Sequence, residues 1–339
     1  MRSYSLFIGI DISKEWIDVC LTINGQIKQI LHDRFDNTPS GFVLLLKFIR
    51  QSQLYKGSLK DCAFCMEHTG VYTLPLCKFL QNKNIFYVLV SPYHLKRSLG
   101  LLRSKSDQLD AAYIARYAYL HSEELTCFSL PSDRLLEIKH LLSLRSRLVD
   151  SKMGLEVAAK ELKKFAPPAT SKMVIKQTKS STTPMKKSIK SVEKQILILI
   201  QEEPELKRLF DLLLSVKGVG LIIAAYLLVY TVGFTAFDNS RKFATYIGIV
   251  PFEKTSGKSI KVPAKVSHLA NKKLKGLISC GASCATNYDK ELKAYYERRI
   301  AEGKNKFSVQ NAIRNKFVHR IFAVVKRGTP YVELVQYRA

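Results

Sequence analysis

The sequence has few acidic residues for its size. Asp and Glu number 28 against 54 Lys and Arg, which leaves a formal net charge of +26 at pH 7. So large an excess of positive charge repels itself unless a polyanion neutralises it. We therefore expect a nucleic-acid partner, and a generally basic solvated surface is the alternative that composition leaves open.

Long hydrophobic runs are also lacking. No segment approaches the roughly 20 apolar residues that span a bilayer, because Lys217, Gly218 or Gln201 interrupts the longest candidates. The N-terminus has neither the apolar region nor the cleavage site of a signal peptide. We expect a cytoplasmic protein without membrane contact.

The cysteines form no disulfide framework. There are seven, an odd number, and their spacing matches no such framework, which predicts free thiols. Cys62 with Cys65, and Cys280 with Cys284, suggest zinc ligands, but no further His or Cys cluster completes four ligands. We predict that these cysteines are buried and structural.

Apolar residues make up 47% of the 339 residues, so most of the chain can fold, and this length favours more than one domain. Strand and helix patterns alternate in the first part, which predicts an α/β domain with a mixed sheet over residues 1–128. We further predict a helical hairpin or coiled coil over 129–205 and a mainly α-helical domain over 206–339.

The predicted hairpin has a clear first helix. Leucines at helical spacing over 135–165 predict a long amphipathic helix that two prolines end. The segment 169–184 is rich in Ser, Thr and Lys, which predicts an exposed connection. A second helix over 186–201 would then return along the first.

Four acidic residues occupy positions suited to a divalent metal. Asp11 closes the first strand, Glu67 closes the strand over 62–66, and Asp107 and Asp110 share one helix face. Mg²⁺ prefers oxygen ligands on rigid elements from several chain segments. If the two strands are neighbours, their C-terminal ends bring Asp11 and Glu67 together. Each acid alone could equally form a turn or a helix cap.

The segments around these acids resemble a known family. The DEDD transposases of the insertion-sequence one-ten family have three acidic blocks, which FIGIDISK at 7–14, MEHTGVY at 66–72 and KSDQLDA at 105–111 resemble in order and spacing. The resemblance implies an RNase H-like fold of the RuvC type. It also implies an acidic quartet that binds Mg²⁺ or Mn²⁺: Asp11, Glu67, Asp107 and Asp110. Ser106 stands where Thr is commoner in the family.

The C-terminal half resembles the same family. The stretch 237–258 is similar to the family's C-terminal transposase domain, which carries a catalytic serine directly before a glycine. This match implies that Ser256 is the nucleophile, whereas chemistry alone leaves Thr255 and Ser259 equally plausible. Lys275 stands where Arg is frequent, and a point charge there replaces a two-pronged phosphate contact.

The resemblance implies a function for the whole chain. It implies an insertion-sequence transposase or recombinase that cuts and rejoins donor and target DNA through a serine–phosphate intermediate. It further implies an element-encoded bridge RNA as guide, a homodimer or homotetramer, and association with the bacterial nucleoid. Two alternatives remain open: a RuvC-like structure-selective nuclease that acts through metal-activated water, and an inactive nucleic-acid-binding relic.

Overall fold

The computed structural model describes residues 4–27, 30–100, 106–256 and 260–332. The side chains of Leu99 and of residues 254–264 also lie outside the described part. The chain divides into two compact units, Met1–Leu130 and Pro131–Ala339. Within the described ranges, no helix is long and apolar enough to cross a membrane.

The first unit contains a five-stranded sheet. Its strands are β1 (Leu6–Ile12), β2 (Trp16–Thr22), β3 (Leu31–Asp36), β4 (Cys62–Glu67) and β5 (Tyr87–Val90). Their order across the sheet is β3-β2-β1-β4-β5. β1 pairs antiparallel with β2 and parallel with β4, so the predicted mixed sheet is confirmed. The edge strand β3 was missed, because its sequence LHDRFD has too few apolar residues to give a strand pattern.

Helices pack on both faces of this sheet. They are α1 (Pro39–Gln51), α2 (Leu74–Asn82), α3 (Pro92–Leu99) and α4 (Asp107–Leu120). Ile8 and Ile10 of β1 belong to the apolar core that α1 and α2 cover, whereas Phe7 packs with residues of α4. Because side chains alternate along a strand, Asp11 lies on the α4 face.

Gly9 allows α4 to lie directly on β1. A Cβ at this position would come within 2.1 Å of the Ala111 carbonyl oxygen and 2.2 Å of the Ala115 nitrogen. The alanines facing it are fully buried, so small residues line both sides of the contact. This contact fixes the position of α4, whose first turn carries Asp107 and Asp110.

The second unit is mainly helical, as predicted for the C-terminal part. Its helices are α5 (Asp133–Phe165), α6 (Pro168–Gln201), α7 (Pro204–Leu214), α8 (Leu221–Tyr230), α9 (Ser240–Tyr246), α10 (Lys272–Tyr288), α11 (Lys290–Ala301) and α12 (Lys306–Arg327). Strands β6 (Pro251–Ser256) and β7 (Ile260–Val266) form an antiparallel hairpin. Leu142, Ile196 and Phe317 belong to one apolar core, so a domain boundary at 205 stays a prediction.

α5 and α6 form an antiparallel pair. Arg145 pairs with Glu193 at 2.7 Å, and Glu156 pairs with Lys186 at 3.1 Å. Positions later in α5 therefore meet positions earlier in α6, which is the geometry of a helical hairpin.

The predicted connection over 169–184 was wrong, because α6 begins at Pro168 and includes this segment. Ser171 and Thr182 are buried at positions on α6 where an aliphatic residue is usual. Their polarity concealed the helical period.

The prediction that the paired cysteines are buried is confirmed for one pair and wrong for the other. Cys62 and Cys65 are buried in β4, whereas Cys280 and Cys284 are exposed on α10. The buried face of α10 is formed by other residues at helical spacing, namely Leu274, Ile278, Gly281, Ala282 and Ala285.

Gly9→Ala should destabilise the first unit, because the added methyl group meets the backbone of α4 and not a movable side chain. We expect the free energy of unfolding to fall by about 3 kcal/mol in chemical denaturation. Gly154→Ala is the matched control, since Gly154 lies within α5 with nothing within 4 Å of an added Cβ. The control should gain up to about 1 kcal/mol. Equal effects of the two substitutions would contradict the close contact.

Candidate active site

Two of the four acidic residues end neighbouring parallel strands. Ile10 of β1 pairs with Met66 of β4, so Asp11 and Glu67 follow at the same level of the sheet. Both are half-buried. Since Ile10 and Met66 belong to the opposite core, the two carboxylates share the α4 face. The neighbouring strands on which their convergence depends are therefore present.

α4 supplies the other two carboxylates in its first turn. Ser106 caps the helix, where its hydroxyl oxygen accepts a hydrogen bond from the Leu109 N–H at 3.3 Å. Ser and Thr both cap helices in this way, so the Ser found here preserves that role. Asp107 and Asp110 follow within the first turn, where the helix dipole stabilises negative charge.

The four carboxylates interact electrostatically. Burial raises the pKa of Asp11 to about 6, and repulsion from Asp110, Glu67 and Asp107 contributes to the rise. A hydrogen bond from the Ile12 backbone opposes it. The structure thus places Asp11 close enough to the other three predicted carboxylates to interact with them. Their combined negative charge would attract a cation.

The donor set suits a hard divalent cation. All four side chains offer carboxylate oxygens, which Mg²⁺ and Mn²⁺ prefer. In the part of the chain that the structure describes, no three His, Cys, Asp or Glu side chains form a group that could hold an ion as they stand. Repulsion keeps like charges apart, and a cation that neutralises them would let them close in. The residues fit such an ion on their chemistry and shared field.

A basic residue of β3 contacts the quartet. The Arg34 guanidinium lies 3.0 Å from the Asp107 carboxylate and 2.9 Å from that of Asp18. It also lies 5.1 Å from the ring centre of Trp16. Arg34 therefore restrains Asp107 from one side, and any ion bound by Asp107 must share that carboxylate or displace the guanidinium.

Asp18 is a fifth carboxylate at this site, and the sequence reasoning missed it. It is 2% exposed, pairs with Asp11 across the β1–β2 ladder, and lies 2.9 Å from His32. A carboxylate at a position this buried needs cationic partners. An Asp among the apolar residues of β2 was the available signal, but its partners lie on β3, which the pattern did not reveal.

The described structure gives the backbone position of the candidate serine. Ser256 ends β6 and pairs with Ile260 of β7. The side chains of Ser256 and Thr255 lie outside the described part, and so does Ser259 as a whole. The choice among the three hydroxyls therefore stays a prediction.

The start of the β6–β7 hairpin is held by side chains of two helices. The Ile249 carbonyl accepts hydrogen bonds from the amides of Asn311 at 2.8 Å and Asn315 at 3.0 Å. The Lys275 ammonium donates to the Gly248 carbonyl at 2.8 Å. Lys275 thus serves as a backbone anchor in this chain.

Asp11→Asn should stabilise the metal-free protein at neutral pH. The folded state raises the pKa of Asp11 to about 6, so its proton favours folding at low pH and this contribution is lost as pH rises through about 6. Above that pH the variant should be about 1–2 kcal/mol more stable than wild type in urea denaturation with chelator. The difference should vanish below about pH 4.

Glu15→Gln is the control for Asp11→Asn, because Glu15 is an exposed carboxylate in the turn after β1. It should change stability little at any pH. Mg²⁺ should raise the Tm of wild type and of this control more than that of Asp11→Asn. Equal stability of wild type and Asp11→Asn at about pH 8 would refute the repulsive cluster.

Arg34→Met should destabilise the first unit, because it leaves the buried Asp18 carboxylate with His32 as its one remaining side-chain hydrogen-bond partner among the described residues. We expect a lower midpoint in urea denaturation. Adding Asp18→Asn should raise the midpoint again, since the uncompensated charge is removed. Arg116→Met, at an exposed position of α4, should have little effect. No recovery in the double variant would argue against the pairing.

Two family models match the chain. The DEDD-type model of the IS110 elements, described as "Transposase", matches residues 8–161, which include the acidic quartet. The model described as "Transposase IS116/IS110/IS902 family" matches residues 210–297, which include Ser256.

Similar proteins extend the match over nearly the whole chain. "Pilin gene-inverting protein" of Moraxella lacunata and that of Moraxella bovis are each 25% identical over 334 residues, 96% of this chain and 97% of theirs. "Insertion element IS110 uncharacterized 43.6 kDa protein" of Streptomyces coelicolor is 30% identical over 159 residues, 47% of this chain and 38% of its own length. Two models of one family and these relatives confirm the resemblance that the acidic blocks indicate. The chain belongs to the IS110 family of DEDD-type transposases and is a DNA transposase or recombinase.

Proposed function

We propose that this transposase cuts and rejoins DNA through a covalent link between Ser256 and a DNA phosphate, assisted by a divalent ion at Asp11, Glu67, Asp107 and Asp110. The observation that carries the proposal is the placement of the four carboxylates: Asp11 and Glu67 end paired parallel strands, and Asp107 and Asp110 lie in the first turn of the helix that packs on the same face. Such a cluster favours Mg²⁺ or Mn²⁺, and a bound ion supplies charge stabilisation to phosphate oxygens.

The N-terminal unit has features expected of an RNase H-like fold of the RuvC type. Its mixed sheet carries Asp11 at the end of a central strand, and α4 crosses the same face with Asp107 and Asp110. We assign the carboxylates to a catalytic domain over 1–128, the helical hairpin to 129–205, and the serine to a transposase domain over 206–339.

The serine route conserves phosphodiester bonds. The Ser256 oxygen attacks phosphorus and displaces a deoxyribose oxygen, which takes up the proton that the serine loses. One bond to phosphorus forms as another breaks. A deoxyribose hydroxyl of the exchanged strand then displaces the serine, which regains its proton. No external energy source is needed, because each step exchanges one phosphate ester for another.

The similar Moraxella proteins favour rejoining over simple hydrolysis. Their names say that they invert a pilin gene, and inversion of a segment requires that cut strands be joined again. The excess of positive charge supports extensive contact with nucleic-acid phosphates. We extend the proposal to an element-encoded bridge RNA as guide and to a homodimer or homotetramer that holds donor and target DNA.

A recombination assay with the element's flanking DNA and its transcripts tests the proposal. Ser256→Ala should lower recombination by about 1,000-fold or more and abolish a covalent protein–DNA adduct, because the nucleophile is removed. Thr255→Val and Ser259→Ala are the matched controls and should retain the adduct. Asp11→Asn should also lose recombination.

Two other outcomes would replace the proposal. Hydrolysed ends without an adduct, and cutting that survives Ser256→Ala, would indicate a nuclease in which the quartet activates water and Ser256 takes no part in the chemistry. DNA binding without cutting under any divalent metal would indicate an inactive relic.

A further inference from the structure

A cavity of about 230 Å³ lies between α10, α11 and α12, apart from the acidic quartet. α10 and α12 contribute most of its polar lining, which includes Ser279, Ser283, Thr286, Lys306, Gln310 and Arg314. The spacing of these residues places each set on one face of its helix. Among the described residues, no Asp or Glu lines the cavity. Its charge is therefore positive.

Arg314 is half-buried in the cavity wall, and no hydrogen bond or ion pair joins it to any described residue. The other partly buried arginines of the second unit form ion pairs with carboxylates. Arg320, 15% exposed, lies 2.6 Å from Asp289, and Arg145, 23% exposed, lies 2.7 Å from Glu193. A guanidinium has five N–H donors and no acceptor, so a shielded one needs acceptor atoms, and an anion would supply them together with opposite charge.

A second cation strengthens this requirement. Burial lowers the pKa of Lys275, and repulsion from Arg314 lowers it further. Burial likewise lowers the pKa of Arg314. Lys275 is not part of the cavity lining, but its charge adds to that of Arg314. Among the described residues no carboxylate of the lining balances these charges, so a bound anion would stabilise the site.

The neutral groups of the cavity also suit an anion. Ser279 and Thr286 donate their hydroxyl protons to carbonyls of their own helix. Ser283 and Gln310 have no such bond to any residue in the described ranges, so their donors remain available. Hydroxyl and amide donors around an arginine fork match the several acceptor oxygens of a phosphate.

The cavity lies next to the start of the β6–β7 hairpin. Asn311 and Asn315, which hold the Ile249 carbonyl, flank Arg314 on α12. Lys275, which repels Arg314, holds Gly248. The segment that leads to Ser256 and the unpaired guanidinium are thus attached to the same two helices.

We propose that this cavity binds a backbone phosphate of the DNA on which the transposase acts, with Arg314 donating to two phosphate oxygens and Gln310 and Ser283 assisting. The idea that this phosphate lies close to the reacting serine rests on the proposed function. The phosphate contact itself requires only that the protein bind DNA. The two ideas can therefore fail separately.

Arg314→Gln tests the phosphate contact, and Lys326→Gln is its matched control. Both substitutions remove one positive charge from α12, but Lys326 is exposed in the last turn. With a labelled element-end duplex at fixed salt, Arg314→Gln should weaken binding about tenfold and lower the slope of log K against log salt by about one. The control should change affinity less than about threefold. Arg314→Lys should give an intermediate loss, because an ammonium cannot form the two-pronged contact.

Stability separates a binding role from a structural one. Arg314→Gln should unfold at the same or a higher temperature than wild type, since it removes an unpaired shielded cation. A lower Tm together with weaker binding, or an affinity equal to that of Lys326→Gln, would overturn the proposal. A loss confined to RNA of the same sequence would overturn its assignment to DNA. If Ser256→Ala retains recombination while Arg314→Gln loses binding, the serine mechanism fails and the phosphate site stands.

Discussion

The direct contact between the Gly9 backbone and α4 is the constraint on which the acidic site depends. Without a side chain at this position, the helix lies close to the central strand and its first turn carries Asp107 and Asp110 on the face that Asp11 and Glu67 share. A larger residue would move the helix and with it half of the carboxylates. The strand register sets the other half, because β1 and β4 run parallel and end at one level.

The acidic site lowers the stability of the folded protein as long as no cation is bound there. Glu67, Asp107 and Asp110 repel Asp11, and a fifth carboxylate, Asp18, is held beside it by Arg34 and His32. Like-charge repulsion and shielded charges are common where function needs them, and the rest of the fold must compensate. Here the apolar cores on both faces of the sheet provide that compensation.

The sequence predicted those features that leave a strong local pattern. Asp11 and Glu67 follow apolar runs, so a mixed sheet with two acidic strand ends could be expected. The network of Asp18 and Arg34 could not, since it requires the pairing of a polar edge strand. The first half of α6 was hidden because Ser171 and Thr182 occupy its buried positions. Ser256 was singled out by family resemblance alone, because a serine before a glycine has no distinctive pattern.

The polarity that concealed β3 has a consequence for solubility. An edge strand presents unpaired backbone groups to any other extended chain, and this makes it a template for aggregation. β3 lies at one edge of the sheet and carries His32, Asp33 and Arg34 in succession. Charged side chains along an edge disfavour the docking of a foreign strand. The strand that supplies the arginine of the acidic site thus also protects its sheet from intermolecular pairing.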